Sequence, residues 1–128
     1  MHEVLEGIRV VEVAQYVFVP VASGVLAEWG ADVIKIEHPI RGDAYRGLRR
    51  TGNLPTSGQI NYAIEHANRS KRSLALDLAQ PDGRATFGKL LATADVLITN
   101  LLPDSRTRLG LDLEQVRKDN PQIIYARG

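Results

Sequence analysis

Ile8-Arg9-Val10-Val11-Glu12-Val13 and Asp32-Val33-Ile34-Lys35-Ile36-Glu37 frame the stretch on which the fold turns. Both are β-branched, apolar runs of strand length. Between them Pro20 falls at or near the first turn of a helix. Val21, Val25, Leu26 and Trp29 then recur at helical spacing, and Gly30 is placed to stop the helix. The stretch therefore reads as strand, helix, strand.

The same alternation continues outward. Ser73-Leu74-Ala75-Leu76-Asp77 reads as a third strand, and Pro81 opens a helix whose apolar positions are Ala85, Phe87, Leu90, Leu91 and Ala94. Asp95-Val96-Leu97-Ile98-Thr99 is a fourth strand, followed by a loop with Asn100 and Pro103. Asp112 suits the N-cap of a short helix from Leu113 to Lys118, and Gln122-Ile123-Ile124-Tyr125-Ala126 is a fifth strand. Residues 38–58 look irregular, with Gly42, Gly47, Gly52, Pro55 and Gly58; a loop of that length is usually functional or mobile. Gln59 to Ala67 suggests a short helix with Ile60, Ala63, Ile64 and Ala67 on one face. Strands separated by helices imply an α/β fold, with a mostly parallel sheet and helices on its faces. In such folds ligands bind beyond the carboxyl ends of the strands. Here those ends are 14–17, 37–39, 78–79 and 100–103.

Composition narrows the function. With 128 residues the chain suits one domain, and a net charge of +1 argues against a general nucleic-acid binder. Cysteine is absent, which excludes disulfides, Cys-ligated zinc and a thiol nucleophile. That composition fits a cytoplasmic setting, and no apolar run approaches the ~20 residues of a membrane span. The first strand–helix turn, Ala14-Gln15-Tyr16-Val17-Phe18-Val19-Pro20, has no glycine, so a dinucleotide fingerprint is missing. A P-loop and a GxSxG nucleophile elbow are missing too. His2, His38 and His66 share no metal-like spacing, so no metal site is expected. Each reads as a solvated or capping histidine, with His38 set apart by its place at a strand's carboxyl end. From Arg41 to Arg72 seven cations (Arg41, Arg46, Arg49, Arg50, Arg69, Lys71 and Arg72) meet only Asp43 and Glu65. This segment is either a solvated basic surface or a landing surface for phosphates, to which Arg106 and Arg108 could add.

Several blocks together resemble family III CoA-transferases, the CaiB/BaiF group that includes formyl-CoA transferase. Leu5 to Val13 resembles the family's opening, and Gly30-Ala31 with the run to Glu37, followed by Gly42-Asp43, resembles its second strand. Asn68-Arg69-Ser70-Lys71-Arg72-Ser73-Leu74-Ala75-Leu76-Asp77-Leu78 is similar to its third-strand block. Ala94 to Asn100, then Pro103 and Arg108-Leu109-Gly110, resemble the fourth-strand segment, and Pro121 to Ala126 the fifth.

The resemblance implies that residues 1–128 are the CoA-binding, Rossmann-like N-terminal segment of a larger, interlocked-dimer fold. It implies coenzyme A, carried as acyl-CoA, as the cofactor, with acyl-CoA and a carboxylic acid acceptor as partners. The chemistry it implies moves CoA between acids through an aspartyl intermediate. The family's aspartate follows the fifth strand, past Gly128, so no catalytic residue is expected here and the 128 residues alone should be inactive. A homodimer, or a complex with the missing C-terminal segment, is expected; nucleic acid and membrane are not. A 2-methylacyl-CoA racemase fragment and a non-catalytic CoA-binding or structural module stand as alternatives.

Position by position, the resemblance places CoA contacts at nine residues. Tyr16 and Val17 lie toward the thioester end, and His38 stands where formyl-CoA transferase has arginine. Leu76 and Ala79 border the nucleotide. Asn100 and Leu101 lie against the CoA, and Arg108 with Leu109 clamps the adenosine end. Phe18-Val19-Pro20 replaces the family's usual Ala-Gly-Pro, which narrows the space beside the first turn.

Overall fold

The computed structural model describes residues 3–48, 50–51, 54–55 and 60–128. Five strands form one parallel sheet: β1 (Arg9–Val13), β2 (Asp32–Glu37), β5 (Arg72–Ala75), β6 (Val96–Thr99) and β7 (Ile124–Arg127). Their order is β5-β2-β1-β6-β7. The chain steps outward from β1 through β2 to β5, then crosses back to β6 on the other side of β1. The order therefore reverses between β1 and β6, which in open α/β sheets is where a ligand crevice opens.

Pleating divides the core. Val11 and Val13 of β1, with Ile34 and Ile36 of β2 and Leu97 of β6, face a cluster closed by Phe87, Leu91, Leu111 and Val116. These last four come from α3 (Pro81–Leu91), α5 (Leu113–Asp119) and the turn before α5. Val10 and Val33 face the opposite way, against Leu26 and Ala27 of α1 (Phe18–Glu28). Each fully buried Leu or Phe in these clusters contributes about 1.5–3 kcal/mol.

The third strand, expected to reach Asp77, ends at Ala75, and four other local expectations change. First, α1 does not bury Trp29, which is 55% exposed. It turns Ser23 and Gly24 inward, because the Ser23 hydroxyl donates to buried Glu12 and the small Gly24 admits the end of α2 (Tyr62–Asn68). Second, α2 starts at Tyr62, where the Asn61 side chain accepts from Ile64 N at 3.3 Å. Ile60 is left exposed, and Gln59 lies outside the described residues. Third, the loop expected after the fourth strand holds a helix, α4 (Pro103–Leu109), opened by Pro103 and closed by Gly110 at φ 67°. Fourth, the fifth strand starts at Ile124, since Asn120 Oδ1 binds Gln122 N and holds that residue in a turn.

The 38–58 stretch also carries a 3-10 turn (Ala44–Gly47) and a two-stranded antiparallel pair, β3 (Arg50–Thr51) with β4 (Leu54–Pro55). Asp112 caps α5 as expected, accepting from Gln115 N at 3.0 Å.

Candidate functional site

The carboxyl ends of β1, β2, β5 and β6 surround a cavity of about 390 Å³. The end of β1 and the turn after it supply Val13, Ala14 and Gln15; the turn after β2 supplies His38, Arg41 and Asp43. Leu76, Asp77 and Leu78 follow β5. Leu101 follows β6, and α4 adds Ser105, Arg108 and Leu109. A groove of about 370 Å³ continues past Leu78, Arg108 and Leu109 to Ala79 and the start of α3.

Of the nine residues expected from sequence, His38, Leu76, Leu101, Arg108 and Leu109 therefore line one cavity, and Ala79 lines the adjoining groove. Tyr16 and Val17 sit beside it in the β1–α1 turn, both exposed. The Asn100 side chain faces elsewhere. Its Nδ2 donates to Gln15 O at 2.7 Å and its Oδ1 accepts from Gln15 N at 3.0 Å, so it clasps the ends of β1 and β6 together. Arg41, Asp43, Gln15 and Ser105 line the cavity without having been singled out as contacts.

The basic segment resolves into pairs. Arg46 grips Glu37 with two bonds of 2.7 and 2.8 Å; Arg69 pairs with Glu28, and Arg72 with Asp32 at 2.8 Å. Lys71 binds Glu12 at 2.6 Å. Arg106 donates to Leu101 O at 2.7 Å and braces α4. Arg49, and the side chain of Arg50, lie outside the described residues. Arg41 and Arg108 line the cavity, are exposed, and have no side-chain partner among the described residues. The pairing of Arg108 with Asp104 or Asp112 that its spacing allows is not formed.

Other groups on the wall are held. Arg46, above all, keeps the Glu37 carboxyl below its ordinary range, and the Asp43 amide adds to this. His38 Nδ1 accepts from Ile40 N and Arg41 N at 3.1 and 3.2 Å. That leaves Nε2 facing Asp77 Oδ2, 3.6 Å away, beyond hydrogen-bond length. Asp77 Oδ1 meanwhile accepts from Ala79 N at 3.0 Å.

Behind the cavity lies a buried charge network that the sequence reading missed. Glu12 and Lys35 are 0% and 2% exposed and stand opposite each other on β1 and β2. Lys35 Nζ donates to Glu12 Oε1 at 2.9 Å, to Asp43 Oδ2 at 2.8 Å and to Ala14 O at 3.2 Å. Lys71 Nζ donates to Glu12 Oε2 and to Pro20 O, each at 2.6 Å, and to Asn68 Oδ1 at 3.1 Å. Burial pushes the Lys71 ammonium below its ordinary range, against the pull of Glu12. Two carboxylates balance two ammonium groups, and a buried charge is tolerated only with such partners.

Comparison with known proteins agrees with this architecture. The profile of CoA-transferase family III matches residues 5–128. The chain belongs to CoA-transferase family III. It is 43% identical over 123 residues to the succinate–glutarate CoA-transferase of Agrobacterium fabrum, covering 94% of this chain and 31% of that protein. It is 41% identical over 123 residues to the beta subunit of the succinyl-CoA–L-malate CoA-transferase of Chloroflexus aurantiacus, covering 96% and 29%. Among solved structures, a CAIB/BAIF family protein from Brucella suis superposes with a TM-score of 0.83 at 33% identity, over 99% of this chain and 33% of that one. The chain thus spans about a third of the length of these family members, and matches the N-terminal part of the CaiB/BaiF structures. Among the described residues no helix is long and apolar enough to cross a membrane, and no cluster of three metal-ligating side chains occurs.

Proposed function

We propose that these residues form the coenzyme A-binding part of an enzyme that moves CoA between carboxylic acids. The observation that carries this reading is the pair Arg41 and Arg108, two arginines that line one cavity without carboxylate partners among the described residues. A guanidinium offers a planar fork that suits phosphate oxygens, and CoA carries a diphosphate and a 3′-phosphate. Leu76, Leu101 and Leu109 give the same cavity an apolar surface for the uncharged parts of the ligand. Tyr16 and Val17 then lie toward the thioester, with Ala79 and Leu109 toward the nucleotide. Asn100 acts by holding Gln15 rather than by touching CoA.

Among the carboxylates on the wall, Glu37 is held by Arg46, Asp43 by Lys35 and Asp77 by the Ala79 amide, so none is offered as a nucleophile. In this reading an aspartate from outside these residues attacks the acyl-CoA carbonyl, forming an anhydride and expelling the CoA thiolate. The thiolate then attacks the aspartyl carbonyl, releasing the first acid and leaving an aspartyl-CoA thioester. The acceptor carboxylate reverses both steps to leave as its own CoA thioester. Residues 1–128 alone give no turnover, and the working assembly is a homodimer or a complex with the rest of the polypeptide.

Calorimetric titration of CoA into wild type and Arg108→Ala tests the site. The expected loss is about 1.5–3 kcal/mol, the range for a hydrogen bond to a charged group. If the contact is to the 3′-phosphate, dephospho-CoA loses most of its sensitivity to the substitution. Equal CoA affinities at low salt would remove Arg108 from the site, and absence of CoA binding by the wild type would overturn the reading.

A further inference from the structure

Tyr16 holds a backbone conformation that its side chain disfavours. Its φ is 68°, in the left-handed region, where a non-glycine residue persists only when its surroundings over-determine it. The residue is half exposed, so packing of its ring does not enforce the turn; the ring only leans on Tyr45, with centroids 6.3 Å apart. Asn100 clasps the neighbouring Gln15, but what reaches Tyr16 itself is a carboxylate. Asp43 Oδ1 accepts from Tyr16 N at 3.0 Å and from Tyr45 N at 2.8 Å, and its Oδ2 accepts from Lys35 Nζ at 2.8 Å. Asp43 N donates to Glu37 Oε2 at 2.8 Å, so the aspartate is fixed by its backbone as well. Asp43 is 1% exposed and Lys35 is 2% exposed. Charge balance explains why Lys35 has a carboxylate beside it. It does not explain why the second oxygen of that carboxylate is spent on the amide of a left-handed residue 27 positions earlier.

We propose that Asp43 is a positioning residue: anchored by buried Lys35, it holds the Tyr16 turn in its left-handed form at the edge of the CoA cavity. The chain of contact runs from Glu12 through Lys35 and Asp43 to Tyr16, and so ties the β1–α1 turn to the turn after the neighbouring strand β2. The turn is thereby ordered before any ligand arrives, and binding need not supply the cost of ordering it. The inference rests on the reading of the cavity as a CoA site only for its consequence on affinity; the tether itself is testable without ligand.

The test uses the protein expressed from its complete gene. Asp43→Asn keeps the size of the side chain but removes the charge that binds Lys35. Hydrogen exchange is followed for residues 14–19 without ligand, and CoA binding is titrated for wild type, Asp43→Asn, Tyr16→Gly and the double variant. Exchange at 14–19 should rise about tenfold in Asp43→Asn while the central strands β1 and β6 stay protected. CoA affinity should fall about tenfold, and by a clearly smaller factor when Tyr16→Gly has already removed the backbone penalty. If Asp43→Asn alone does not fold, Asp43→Ala with Lys35→Met keeps the network neutral, removes the acceptor for the Tyr16 amide and is read by the same exchange measurement. Unchanged exchange at 14–19 overturns the tether, whether or not the wild type binds CoA. An equal loss of affinity from Asp43→Asn with and without Tyr16→Gly overturns its role in ligand positioning. A wild type that binds no CoA, with exchange raised as expected, overturns the CoA reading and leaves the tether standing.

Discussion

Gly83 packs so tightly beneath the site that the smallest side chain should disturb it. A Cβ built there falls 2.0 Å from Asp77 O and 2.8 Å from Asp77 C, both backbone atoms. Non-bonded contacts of that kind need about 3 Å or more, so the first turn of α3 or the Asp77–Leu78 segment must move by about 1 Å. Overpacking against a rigid neighbour costs about 1–3 kcal/mol, and backbone on the other side places this case at the upper end. Alanine in place of glycine gains back at most about 1 kcal/mol of helix propensity in this first turn. The net for Gly83→Ala is then a destabilisation of about 2 kcal/mol. Gly88, in the same helix, supplies the control. Its Cβ would meet Asp119 Oδ1 at 3.0 Å, a side-chain atom that can give way. Gly88→Ala should therefore be neutral or stabilising, with the same propensity gain. Urea denaturation of the two variants and the wild type measures the difference. Because Asp77 and Leu78 line the cavity, Gly83→Ala should also weaken CoA binding, and Gly88→Ala should not. Two variants of equal stability would refute the packing argument.

Asn100→Ala removes both side-chain bonds to Gln15 and should cost about 1–3 kcal/mol by denaturant titration; a loss below about 0.5 kcal/mol, the range of an ordinary surface change, would show that the clasp is not needed. The Glu37–Arg46 pair should show itself in the pH dependence of stability. Glu37 is held below its ordinary value of 4.5, so its contribution is fully present above 4.5 and is lost as pH falls through the folded-state pKa. Arg46→Ala should accordingly destabilise the protein at pH 7 and have progressively less effect at more acid pH; an effect that grows on acidification would contradict the assignment.

What could be read along the chain was whatever depends on near neighbours. The runs around Val10–Val11 and Ile34–Ile36 mark strands because a parallel strand buried on both faces must be apolar along its length. Pro81 and Asp112 mark helix starts because capping chemistry acts within one turn. Of the nine residues that the family blocks singled out, five line one cavity. α4 escaped notice because residues 103–109 fully bury none of their side chains, and Leu109 alone packs partly against the core, so no apolar stripe reported the helix. The charge network was half visible: Glu12 and Lys35 interrupt apolar strands where a charge needs a partner. Which partner, though, depends on the β1–β2 register and on turns that bring Asp43 and Lys71 to the same place. The same holds for the basic segment, whose arginines looked free until folding carried Glu28, Asp32 and Glu37 against them. Periodicity is a local property and survives in one dimension. Pairing of side chains tens of residues apart is set by sheet order and loop path, and only the tertiary structure decided that Arg41 and Arg108 would be left facing the cavity.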